Sequence, residues 1–118
     1  MIIRSVGEFI GTARDVHGPG WKSRRVVLAG EGPNYSVHET TLDAGVRLRF
    51  EYQHHRETVY CVAGKGTIED VDGGRVVSLA QGGLYSAGVG EDHVITADTE
   101  MKLVCIFSPP LAGDEEAT

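Results

Sequence analysis

Apolar and polar residues alternate with a period of two along most of this chain, in short runs separated by glycine-rich turns. The plainest run is 46–53, where Val46, Leu48 and Phe50 alternate with Arg47, Arg49 and Glu51. Successive side chains of a strand point to opposite faces, so this run predicts a strand with one buried face. The same logic predicts strands at 21–29, 35–42, 67–71, 75–79, 84–87, 93–97 and 101–107, with a candidate edge strand at 1–4. Residues 58–63 are mostly apolar without alternation and predict a strand buried on both sides. Gly30 to Asn34, Asp43-Ala44-Gly45, Gly64-Lys65-Gly66, Asp72-Gly73-Gly74 and Gln81-Gly82-Gly83 mark turns. Residues 12–20 read as loop, on the Gly18-Pro19-Gly20 cluster. Ser5 and Glu8 have the spacing of a capping box, which predicts a short helical turn. Pro109-Pro110 ends the last strand, and 111–118 reads as a mobile acidic tail. Roughly nine or ten short strands with near-regular turns predict an all-β chain, a small double-sheet jelly roll or β-barrel.

Composition narrows the partners. The 118 residues amount to a single domain, 1–118, with no linker or internal repeat. A net charge of -6 argues against nucleic acid or an anionic membrane surface, both of which need a basic patch. No apolar run approaches the ~20 residues that span a bilayer, and the N-terminus lacks the apolar core of a signal peptide. Cys61 and Cys105 each lie in an apolar run, which reads as two reduced, buried thiols in a cytoplasmic protein.

Candidate chemistry gathers in two segments. In the first, Gly45, Glu51, Gln53, Glu57 and Gly64 have the spacing of the first cupin motif. In the second, Gly82, Gly88, Gly90 and His93 have the spacing of the second. Glu51 and Gln53 stand where cupins usually carry histidines, and Gly88 replaces the usual proline. His54 and His55 are adjacent, so strand parity lets only one of them face a common site. Parity also places Trp21 with Ser23 and Arg25, Ser36 with His38 and Thr40, and Cys105 with Phe107.

A closer resemblance follows from Trp21-x-Ser23-x-Arg25, Ser36-x-His38-x-Thr40-Thr41 and Tyr52-Gln53-x-His55-x-Glu57-x-Val59-Tyr60-Cys61. Gly64-x-Gly66, Gly82 with Tyr85, His93, and the 100–111 segment from Glu100-Met101 to Pro109-Pro110-Leu111 extend it. Along almost its whole length the chain resembles the L-ectoine synthases, a family of cupins. The resemblance implies a single-domain cupin barrel that is a cytoplasmic lyase and a homodimer. The implied reaction closes the ring of N4-acetyl-L-2,4-diaminobutyrate to the compatible solute ectoine, with loss of water. It further implies an iron(II) (Fe(II)) site held by Glu57, Tyr85 and His93, a donor set that also suits other divalent first-row metals. Tyr52 and His55 are then candidates for proton transfer, Tyr52 the better one by resemblance. Trp21, Arg25, His38, Thr40, Cys105 and Phe107 become a substrate-binding wall, with Arg25 clamping a carboxylate. Two other readings stay open at this point: a cupin that binds a small ligand without turnover, and another metal-dependent cupin enzyme, an oxygenase or isomerase.

Overall fold

The computed structural model describes residues 1–113. Ten strands form two antiparallel sheets that face each other. They are β1 (Asp15–Gly18), β2 (Trp21–Val27), β3 (Ser36–Leu42), β4 (Arg47–Phe50) and β5 (Arg56–Ala63), followed by β6 (Lys65–Asp70), β7 (Arg75–Ala80), β8 (Leu84–Ala87), β9 (His93–Ala97) and β10 (Met101–Ser108). One sheet has the order β1-β2-β3-β10-β5-β8, the other β4-β9-β6-β7. The core lies between them, around Leu42, Val59, Cys61, Leu79, Ile95, Met101 and Leu103. Both cysteines are free and buried. Among the described residues no helix is long and apolar enough to cross a membrane.

The alternation predicted for the strands holds where a strand has one covered face. β10 is buried at every second residue from Met101 to Phe107, and β2 buries Ser23 and Arg25. β5 departs from its prediction. Glu57, Val59 and Cys61 are buried, but Tyr60 is 45% and Val62 38% exposed. Among the described residues no second layer covers the outer face of the six-stranded sheet, so an apolar run there is half exposed.

Two further corrections concern the N-terminal region. Residues 1–4 form no strand. Arg4 instead reaches across with its side chain, donating to the Val26 carbonyl at 2.8 Å and to Glu31 at 2.7 Å. The edge of the sheet belongs to β1, inside the segment read as loop. Pro19 and Gly20 form a tight turn in which Gly18 stands opposite Trp21, and Gly20 has φ 77°. Proline followed by a positive-φ glycine is what a type II turn asks for. Gly18 also leaves room for its partner, because a Cβ there would lie 2.3 Å from the Trp21 ring. The capping-box turn is present as a 3-10 helix, Val6–Phe9, with the Glu8 carboxylate accepting the Ser5 N–H.

The C-terminal segment differs from a mobile tail at its first residues. Leu111 is buried, its N–H donates to Ser36 Oγ at 3.0 Å and its carbonyl accepts from Ala29 N–H at 2.8 Å. Arg25 donates to the Gly113 carbonyl at 2.8 Å. Residues 111–113 are thus a strap across one end of the sheets, and 114–118 lie outside the described residues.

Candidate metal centre and substrate pocket

Strand register builds the site from a single row of the six-stranded sheet. Arg25 stands opposite His38, His38 opposite Cys105, Cys105 opposite Val59, and Val59 opposite Tyr85. Directly opposed residues on one face are the nearest neighbours a sheet can offer. The row therefore runs from a guanidinium at one end to a phenol at the other. In a neighbouring row Ser36 opposes Phe107, Phe107 opposes Glu57, and Glu57 opposes Ala87. Glu57 and Tyr85 are diagonal neighbours on adjacent strands. His93 comes from the other sheet, opposite Phe50 of β4.

These rows line a cavity of about 100 Å³. Its wall contains Trp21, Arg25, His38, Thr40, Tyr52, His55, Glu57, Tyr85, Cys105 and Phe107. The structure thereby gathers ten of the eleven predicted site residues around one space. The eleventh, His93, is not on that wall. It lines a second depression between the edges of the two sheets, to which Tyr85 also contributes. From there its Nε2 lies 3.5 Å from Glu57 Oε1, and the Tyr85 hydroxyl lies 3.4 Å from the same oxygen.

The trio can be tested against a cation. His93 Nδ1 donates to the Glu91 carbonyl at 2.8 Å, since a carbonyl only accepts. That leaves Nε2 as the unprotonated nitrogen of the neutral ring, and it is buried without a hydrogen-bond partner. A buried imidazole nitrogen with its lone pair turned toward a carboxylate has an unmet need that a cation would satisfy. Donors ~2.1 Å from one first-row metal lie about 3.0–3.4 Å apart at octahedral to tetrahedral angles. The two separations measured from Glu57 are close to that range. Among the described residues no three His, Cys, Asp or Glu side chains gather as a metal cluster, so a three-donor site here would need the phenol of Tyr85. With it, the residues fit a hard divalent ion.

Burial sets the protonation of the neighbours. Desolvation, then the charge of Glu57, pushes the Tyr85 and Tyr52 phenols up, and the Cys105 thiol moves the same way for the same reasons. All three are neutral near pH 7. For His93, burial pulls the ring down, but the negative charge of Glu57, 3.5 Å away, and the hydrogen bond to the Glu91 carbonyl outweigh it. The net shift is upward.

Around this trio the aromatic groups interlock. The Tyr52 ring stacks on Phe50 at 5.8 Å and meets Phe107 edge-on at 5.1 Å. His38 meets Phe107 edge-on at 5.3 Å and shares a 2.9 Å hydrogen bond with Ser36 Oγ. The Cys105 thiol points at Thr40 Oγ1, 3.6 Å away. His55 donates from Nδ1 to the Pro109 carbonyl at 2.8 Å and packs on Phe107, while His54 is exposed. Only one histidine of the pair faces the site, as parity predicts, although 51–55 is not strand and bends at 53–54. Sequence reasoning did not pick out Leu42, Leu48, Phe50 and Leu103 as wall residues, though their parity with predicted ones was a usable signal. It also missed Leu111, which closes the cavity from the strap, and Glu91, whose backbone carbonyl leaves no trace in a residue pattern.

Known proteins with similar sequence and structure point one way. The family profile described as ectoine synthase matches residues 1–117. An L-ectoine synthase of Nocardia farcinica is 47% identical over 115 residues, covering 98% of this chain and 88% of that protein. One from Desulfosudis oleivorans is 47% identical over 116 residues, covering 98% and 90%. The crystal structure of ectoine synthase from P. lautus superposes with a TM-score of 0.90 at 35% identity, covering 96% of this chain and 81% of that one. An RmlC-like cupin from Shewanella frigidimarina, 22% identical with a TM-score of 0.68 over 80% and 81%, shares the fold. A two-sheet cupin roll, a cavity lined by the predicted wall and a match over nearly every residue lead to one conclusion: the chain belongs to the ectoine synthase family.

Proposed function

We propose that this enzyme closes the ring of N4-acetyl-L-2,4-diaminobutyrate to ectoine with loss of water, at a divalent metal, iron(II), held by Glu57, Tyr85 and His93. The observation that carries the reading is the meeting of those three side chains at 3.4 and 3.5 Å, at the far end of a row that begins with Arg25. In the reaction the 2-amino nitrogen bonds to the acetyl carbonyl carbon, and the carbonyl oxygen leaves as water. The metal, when bound, supplies Lewis-acid polarisation of the amide oxygen and favours the phenolate form of Tyr85.

The chain's own groups do the rest. Arg25, 2% exposed, presents its guanidinium to the substrate carboxylate and fixes that end of the molecule. Trp21 and Phe107 cover the aliphatic part and keep water out, and Thr40 offers a hydroxyl to a polar substrate atom. Holding both ends folds the substrate so that its amine approaches its own amide, which turns binding energy into effective concentration. Tyr52 is protonated at neutral pH and is suited to donate to the departing oxygen. His55 uses Nδ1 on Pro109, so Nε2 is the atom left to take the ammonium proton.

The wider reading includes a homodimer, supported by the strand edges at β1 and β8 and by exposed Tyr60, Leu84 and Ile106. Residence in the cytoplasm is supported by the two free thiols. Purified protein loaded with iron(II) and given N4-acetyl-diaminobutyrate should yield ectoine, followed by NMR of the product. Absence of product from metal-loaded protein overturns the catalytic reading and leaves a ligand-binding cupin.

A further inference from the structure

We infer that Glu91 and Gly88 act together as the positioning device for His93. The inference rests on the ligand set proposed above. His93 is aimed through Nδ1, which donates to the backbone carbonyl of Glu91, and the placement of that carbonyl depends on the 88–92 turn. Glu91 closes this turn onto Gly88 twice. Its N–H donates to the Gly88 carbonyl at 3.1 Å, and its carboxylate Oε1 accepts the Gly88 N–H at 3.2 Å. Two outer ties hold the turn in place: Gly90 N–H donates to the Tyr52 carbonyl at 2.8 Å, and Asp92 pairs with Arg49 in a two-pronged bridge.

The device accounts for a departure in the sequence. Position 88 carries glycine where cupins usually carry proline. Proline has no N–H and would stiffen the turn by itself. Here the N–H is the one the Glu91 carboxylate uses. A Cβ at position 88 would lie 2.7 Å from Glu91 Oε1 and 2.9 Å from Arg56 Nη2, so even alanine would displace the carboxylate. Glycine at 88 and a hydrogen-bond acceptor at 91 are therefore one solution in two residues. Its product is a fixed tautomer, with Nδ1 protonated and Nε2 turned toward Glu57. Partners that orient ligating histidines in this way are worth about 10–100-fold in metal affinity.

Glu91 is exposed, so its variants will fold. Glu91→Ala should weaken cobalt(II) binding about tenfold or more and shift the visible spectrum of the bound cobalt. Glu91→Gln, which keeps an acceptor but no charge, should restore both. Unchanged affinity and spectrum in Glu91→Ala overturns the inference. So does a Gln variant as weak as Ala, which would mean that charge and not the hydrogen bond matters. The tautomer can also be read without metal, by nitrogen-15 NMR of the His93 ring. There Glu91→Ala should lose the single Nδ1–H form and Glu91→Gln keep it. If wild-type protein binds no metal, the ligand reading fails, and the NMR comparison alone decides the role of Glu91: an unchanged tautomer in Glu91→Ala refutes it.

Discussion

Glu57 is 5% exposed and has two acidic neighbours in Tyr52 and Tyr85, both kept protonated by burial and by its charge. A carboxylate in that position is costly to desolvate unless something positive shares it. At residue scale this makes removal of a proposed ligand different from removal of the proposed proton donor. Glu57→Ala and His93→Ala should each abolish stoichiometric metal and turnover together, measured by metal analysis beside the ring-closure assay. Either variant retaining both would exclude the ligand set. Tyr52→Phe keeps the ring stack with Phe50 but lacks the hydroxyl. It should lower kcat about a hundredfold with metal content intact. Arg25→Ala should lower kcat/KM by about a hundredfold through lost positioning, and normal kinetics there would discard the clamp. The upward shift of His93 carries a sign for pH. A protonated ring cannot ligate, so metal affinity should climb as pH rises through the region above its ordinary 6.5. A titration showing affinity flat across that region would contradict His93 as ligand.

At the scale of elements, the edge strand and the strap are the parts whose stability is separable from the core. β1 is pinned by Asp15. Its carboxyl is drawn down from an ordinary 3.8 to about 2, first by the Gly11 N–H and then, against some desolvation, by His17 and Arg24. A folded value below the unfolded one means the stabilisation is present above pH 4 and is lost as pH falls toward 2. Asp15→Asn should therefore melt below wild type at pH 7, with the two curves converging near pH 2. A constant gap across that range would show that the carboxylate charge is not what holds β1. The strap depends on Leu111, which is 7% exposed and covers the cavity. Leu111→Ala should cost about 2 kcal/mol in denaturant unfolding, at the low end for a buried leucine because the strap can relax. It should also raise KM, because the cavity then opens to water.

At the scale of the whole molecule, most of the architecture was legible because each strand carries its own evidence. Alternation in β4 and β10, with positive-φ glycine turns between strands, needs only neighbours in the chain to be read. β1 was lost because its signal is short and because Gly18-Pro19-Gly20 marks a loop and a hairpin alike. β5 was misread as doubly buried because apolar residues record hydrophobicity and not whether a second layer exists. The candidate site was legible for a different reason. Glu57, Tyr85, His93 and the wall residues were placed by resemblance to a family, while the shared facing of the wall residues along each strand followed from parity. Glu91 lay beyond both, since its part is played by a carbonyl common to every residue.

The sequence by itself determined most of the period-two faces and turns and the side-chain types on offer, because these depend on local stereochemistry and on residue identity. Only the tertiary structure decided that Arg25, His38, Cys105, Val59 and Tyr85 form one row, because register is settled by pairing between strands distant in the chain. It also decided that His93 crosses from the opposite sheet to meet Glu57, since that meeting is a property of how two sheets pack. That Leu111 closes over the cavity was decided at the same level, by its fit against an apolar wall that no single strand contains.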